Sequence, residues 1–208
     1  MSKVLVVCLT LVLASVSYGD LLLDSWENPT NADDPIGFGS WGATVLPGQT
    51  AGVTDGSYSV AVTHAIGWTQ LNLMAMPDVS VLAGYSKIAV DVTALASDWN
   101  GDSGFNIGMH FNSSAGWQQQ YDVGSWWWSG NGTDITETIY FDYSAYEAAA
   151  VAGGWWQVGF ELNSYANDGT ETAVVYLDNL RLTGAPVPEP ATMALLGLGG
   201  LALIRRKK

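Results

Sequence analysis

Apolar and polar residues alternate one for one along most of the chain, and clusters of Gly, Asn, Asp and Ser cut the alternation at short intervals. A repeat of two belongs to a strand with one face in a core and the other in water. The pattern predicts strands near Asp20–Trp26, Ser57–His64, Thr69–Met74, Lys87–Thr93, Gly104–Phe111, Gln118–Val123, Ile135–Phe141, Trp155–Leu162 and Val174–Leu182. Two of them divide cleanly. Phe105, Ile107, Met109 and Phe111 form one face, leaving Asn106, Gly108 and His110 on the other. Trp156, Val158, Phe160 and Leu162 do the same, leaving Trp155, Gln157 and Glu161 outside. Ile88, Val90 and Val92 point inward, as do Tyr58, Val60 and Val62. Helix signals are few. Ser144 is placed as an N-cap with Glu147 as its capping-box partner, ahead of Ala148–Ala152. Pro77–Ala83 reads as a single turn. Many short strands with no long helix predict an all-β, two-sheet β-sandwich over residues 20–184.

The two ends break the pattern. Lys3 precedes an apolar run from Val4 to Val16, and Ser17 and Gly19 are the small residues that signal peptidase needs, so residues 1–19 read as a signal peptide helix cut before Asp20. At the other end, residues 185–208 hold a linker, the tetrapeptide Val187-Pro188-Glu189-Pro190, an uncharged run of 14 residues from Ala191 to Ile204, and the cluster Arg205-Arg206-Lys207-Lys208. The prolines keep the tetrapeptide extended and accessible. The apolar run is short against the 20 or so residues of an ordinary span, and the cations should stay on the cytoplasmic side. This three-part tail resembles the PEP-CTERM sorting signal. The resemblance implies an exported bacterial protein, held transiently in the inner membrane by a short transmembrane helix. An exosortase would then process it to the cell envelope or extracellular matrix.

Charge narrows the partners. Between residues 20 and 184, Lys87 and Arg181 face nineteen carboxylates, a balance of −17. Such a body repels nucleic acid and anionic lipid. The single cysteine, Cys8, lies in the signal segment, so the body has neither a disulfide framework nor a thiolate site.

Three segments carry a second resemblance: Leu23-Asp24-Ser25-Trp26-Glu27, Asp55-Gly56-Ser57-Tyr58-Ser59-Val60 and Val175-Tyr176-Leu177-Asp178-Asn179-Leu180-Arg181-Leu182. In that order they look like the first, second and last strands of jelly-roll, galactose-binding-like carbohydrate-binding modules. The resemblance implies a jelly-roll fold and a structural Ca2+ held by Glu27, Asp55 with the backbone of Ser57, and Asp178. These are the hard oxygen donors calcium takes. The plain alternative is that Asp55 opens a turn with Gly56 and Asp178 ends a strand.

The aromatic content points to the chemistry. The chain holds ten Trp. Trp156 and Trp26 belong to the core, while Trp68, Trp99, Trp117, Trp126, Trp127, Trp128 and Trp155 fall on polar faces or in loops. Exposed indole marks an interaction surface. Sugar rings stack their C–H faces on indole, and amides or carboxylates take their hydroxyls. The candidate ligand residues are Trp155, Gln157, Glu161, Asn106, His110, Trp127, Gln118, Gln120 and Trp68, with polysaccharide as the partner and no catalysis. Two alternatives stay open: a structural matrix or self-assembly protein whose aromatics meet other protein chains, and a glycoside-active enzyme using Glu161. The second needs a partner carboxylate at a set distance, such as Asp122. His64 and His110 fall in neither an HExxH nor a GxSxG arrangement.

Overall fold

The computed structural model describes residues 19–31, 36–99, 103–128, 132–166 and 172–184, with the backbone alone at 122, 126–128 and 166. The alternation becomes eleven strands there: β1 (Leu21–Asp24), β2 (Phe38–Trp41), β3 (Ala43–Gln49), β4 (Ser59–Ala65), β5 (Gly67–Leu73), β6 (Lys87–Ala94), β7 (Ser103–Ser113), β8 (Gly116–Trp128), β9 (Ile135–Asp142), β10 (Trp156–Ala166) and β11 (Thr172–Thr183). They are joined by one α-helix, α1 (Glu147–Gly153), and two 3-10 turns, Val79–Leu82 and Ala96–Asp98. The expected signal helix and C-terminal membrane helix fall outside the described residues. Within them no helix is long and apolar enough to cross a membrane.

The strands form two antiparallel sheets. One has the order β3-β4-β11-β6-β9, with β1 also on β11; the other has the order β2-β5-β10-β7-β8. β4 and β1 share one edge of β11 end to end, against residues 172–177 and 180–182. The alternation seen in the sequence fixes which side of each sheet turns inward. Ile88, Val90, Val92, Val60, Val62, Val175 and Leu177 from the six-stranded sheet are buried against Phe105, Ile107, Met109, Phe111, Val158, Phe160 and Leu162 from the five-stranded one. Phe111 joins the layers, stacking on Phe141 at 6.1 Å and on Tyr143 at 5.6 Å. Burying each such side chain is worth roughly 1.5–3 kcal/mol, so a register slip that turned one strand over would be costly.

Several expectations need correction. β2 and β3 were absent from the strand pattern. Gly39, Gly42, Pro47 and Gly48 read as punctuation, yet both strands lie at sheet edges, where Pro and bulges are tolerated. The β3–β4 register does shift between Leu46 and Gln49. Trp126, Trp127 and Trp128 are in β8, paired with Phe105, Gly104 and Ser103, and not in a loop. Trp99 is buried, stacked on Phe105 at 5.2 Å, with its indole N–H on the Val174 carbonyl. Tyr58 precedes β4 and is only half-buried. The capping box does not form. Tyr146 is the N-cap of α1 with no side-chain cap, and the Ser144 hydroxyl donates to Asp142 Oδ1 at 2.6 Å. The helix ends at Gly154, whose left-handed φ of 72° suits glycine.

Candidate ligand-binding face

With the apolar sets of β5, β7 and β10 turned into the core, their polar partners share the outer face of the five-stranded sheet. Register sets them in rows across the strands. Trp41, Gln70, Glu161 and Gly108 form one row. Gly39, Asn72, Gly159, His110 and Gln119 form the next. Trp68, Asn163, Asn106 and Ser125 lie on one side of these, and Gln157, Asn112 and Trp117 on the other. Gly108 carries no side chain beside Glu161, and the His110 ring fills the space over Gly159. The margins of the face are aromatic. Trp41 and Trp117 lie on the two edge strands, β2 and β8, which are four strand spacings or about 19 Å apart across the sheet.

Four Trp are exposed among the described side chains, each between 44% and 75%: Trp41, Trp68 and Trp117 belong to this face, and Trp155 stands at its end, one residue before β10. Tyr121, at the β8 bulge opposite Gly108, and Tyr165 add two more exposed rings. A bulge of this kind re-aims side chains at a sheet edge. Trp155 follows α1 and, with Gln157, lines a cleft of about 460 Å³ against Met74, Met76 and Pro77.

Polar groups on the face hold one another in place. The Trp68 indole donates to Glu161 Oε2 at 3.4 Å. Gln70 Nε2 donates to Asn72 Oδ1 at 3.1 Å, and His110 Nε2 meets the same oxygen at 2.9 Å. That oxygen can only accept, so His110 is the donor and its proton sits on Nε2. The imidazole is fully buried beneath Trp117, ring centroids 4.0 Å apart. Burial lowers the His110 pKa to about 4, so the ring is neutral at ordinary pH. Trp117 donates its N–H to Gln119 Oε1 at 3.2 Å.

The structure brings Trp68, Asn106, His110, Gln157 and Glu161 to one face, with Trp155 at its end, although His110 is covered and supports the surface from below. Gln118 and Gln120 are not with them. They pair with Phe111 and Met109 and so have the opposite orientation, toward the core side at the β8 edge. Trp127 pairs with Gly104, and its side chain falls outside the described residues. Trp41, Gln70, Asn72, Trp117, Gln119 and Asn163 were not among the expected ligand residues. The run Trp68-Thr69-Gln70-Leu71-Asn72-Leu73 alternates without a fault and would have placed Gln70 and Asn72 beside Trp68.

The expected calcium ligands gather around a different feature. The loop at residues 50–58 lies over the outer side of the six-stranded sheet. Asp178 Oδ2 accepts from the backbone N–H of Thr54 at 2.6 Å and of Asp55 at 2.8 Å. Glu27 accepts from the N–H of Ser57 at 2.9 Å and of Tyr58 at 3.0 Å. Asp91, held low despite burial by hydrogen bonds from Thr138, Thr54, Asn179 and Arg181, completes the cradle. This set does not fit a calcium ion. The carboxylates already face N–H groups, whose positive ends would also face the ion. Among the described residues no three His, Cys, Asp or Glu side chains converge.

What the fold and face define is a two-sheet β-sandwich with an aromatic, amide-floored outer surface. Residues 186–208 match the PEP-CTERM protein-sorting motif, so the chain carries a sorting tail and is an exported protein destined for the envelope or beyond it. Among curated proteins, no sequence relative matches. Solved structures similar to this chain include the CBM22-1 xylan-binding domain of Paenibacillus barcinonensis Xyn10C, 15% identical, covering 84% of this chain and 99% of that one at a TM-score of 0.49. Another is the C-terminal family 22 carbohydrate binding module of Clostridium thermocellum Xyn10B, 16% identical, covering 83% and 96% at 0.46. An exo-β-agarase is 12% identical over 81% of this chain at 0.52, and this chain spans 25% of its length. The last likeness shows a shared β-sandwich fold.

Proposed function

We propose that the protein is delivered to the envelope or extracellular matrix through its tail and binds polysaccharide, without catalysis, across the outer face of the five-stranded sheet. One observation carries the reading: of the four exposed Trp side chains among the described residues, Trp41, Trp68 and Trp117 stand on this face and Trp155 lines the cleft beside Gln157 at its end, around a floor of amides and glycine. Large exposed apolar surface on a secreted protein marks a binding site. Indole offers a flat apolar platform for a sugar ring, and Gln70, Asn106, Gln157, Asn163 and Glu161 offer donors and acceptors for hydroxyls. Glycosidases of the ordinary two-carboxylate type need a pair. Glu161 is the single carboxylate among the described side chains of the face's strands, and the Asp122 side chain falls outside them. Exosortase and signal peptidase are the processing partners of this reading.

The test is native affinity electrophoresis of the purified chain in gels with and without soluble polysaccharides. Trp68→Ala and Trp117→Ala should lose a retardation that wild type shows. Concentration-dependent association with no response to any glycan would favour the self-assembly alternative instead.

A further inference from the structure

The geometry points to a face that selects uncharged chains and turns away polyuronates, with Glu161 as the residue that sets the selection. The inference rests on the polysaccharide reading above and adds the chemical class of the ligand. Between residues 20 and 184 the chain has two cations, Lys87 and Arg181, and both lie on the six-stranded sheet. The Lys87 ammonium stands 5.8 Å over the Tyr140 ring. Arg181 is committed to Asp91 at 3.1 Å and Asp20 at 3.4 Å. No Lys or Arg between residues 20 and 184 is therefore available to the binding face to pair a sugar carboxylate or sulfate. The face's one histidine, His110, is buried and neutral, so it supplies no positive charge either.

The face's own charge is negative and central. Glu161 is on β10, the third of five strands, between Gln70 on one side and Gly108 on the other. Because Gly108 has no side chain, Glu161 is left half-open to whatever crosses the face. A sugar hydroxyl can donate to this carboxylate. A sugar carboxylate brought within about 6 Å of it is repelled by a factor of about 3 to 100 in affinity, across the range of effective dielectric between surface and bulk water. The strongly acidic body adds a long-range contribution of the same sign, and salt screens it.

The experiment uses the full chain in affinity gels with three neutral polymers, mixed-linkage β-glucan, glucomannan and galactomannan, each beside the same polymer oxidised at C6 to its polyuronate. The expected result is retardation by at least one neutral form and much weaker retardation by its oxidised partner. The gap should narrow at high salt and by at least about threefold in Glu161→Gln, an isosteric change whose fold is checked by circular dichroism. Equal or stronger retardation by the oxidised form overturns the selection but leaves polysaccharide binding intact. A gap that neither salt nor Glu161→Gln alters is steric and also overturns it. Retardation by none of the six polymers overturns the binding reading, and this inference with it.

Discussion

The His110 imidazole crosses over Gly159 to donate from Nε2 to Asn72 Oδ1 at 2.9 Å, joining β7 to β5 above the strand between them. The crossing needs a glycine at 159. A Cβ there would run into His110 Nε2 and the Leu71 carbonyl oxygen, and the second is part of the strand backbone and cannot swing away. Gly159→Ala should therefore cost about 3 kcal/mol, read as a lower urea midpoint with an unchanged slope. Gly108→Ala, whose added carbon comes no closer than 3.2 Å to Gln120 O, should cost much less. Equal stability of the two variants would mean that His110 does not lie across β10.

Stability should fall with acid earlier than the carboxylates alone dictate. The pKa of His110 is depressed by burial from 6.5 to about 4 in the folded chain, so between those values the unfolded chain binds the extra proton. Stability is then fully present above pH 6.5, is lost as pH falls toward 4, and loses no more from this group below that. The span corresponds to roughly 3 kcal/mol at most. His64, also lowered by burial, acts in the same direction. Replacing His110 by Gln should flatten the slope of unfolding free energy between pH 6.5 and 4. A slope unchanged in that variant would remove His110 from the account.

Trp117 is what keeps His110 dry from above, since its indole lies on the imidazole at 4.0 Å. Trp117→Ala should admit water and move the His110 pKa upward from about 4 toward its ordinary value. Proton NMR of the imidazole Cε1–H signals measures this directly, with His64 as the internal reference that should not move. If the two titrate alike before and after the change, the indole is not the cover.

How much of this was visible in the amino-acid order depended on alternation strength and pairing. β7 and β10 announce their faces because four apolar residues in each strand alternate with polar or glycine positions, and the structure follows them residue for residue. β2 and β3 were hidden because edge strands need no apolar alternation of their own, and Trp41 was lost with them, between Ser40 and Gly42. The parity of β8 could not be read at all. Three consecutive glutamines carry no apolar phase, and only pairing with β7 puts Gln119 beside His110 and leaves Gln118 and Gln120 on the other side. Trp99 follows Ser97 and Asp98, which look like solvent-facing residues, yet long-range packing on Phe105 and a bond to Val174 O bury it.

The loop at residues 50–58 should be held by carboxylates without a metal. Asp178 is fully buried, and its pKa is raised by desolvation although the N–H groups of Thr54, Asp55 and Asn179 all point at it. Thr54 Oγ1 bridges it to Asp91, at 3.1 Å and 2.8 Å. Asp178→Asn replaces one accepting oxygen with an amide that also donates, so some of these donors lose their partner. The cost should be about 2–4 kcal/mol, with faster proteolysis in the loop. Calcium tests the same arrangement from the other side. An ion bound only to the folded chain, at 100 times its dissociation constant, adds about 2.7 kcal/mol and raises the thermal midpoint by several degrees. With the carboxylates already turned to N–H donors, millimolar calcium and excess chelator should give the same midpoint in wild type. A calcium-dependent rise that disappears in Glu27→Gln or Asp178→Asn would show that these side chains leave their amides for an ion, and the hydrogen-bonded cradle would then describe only the metal-free loop.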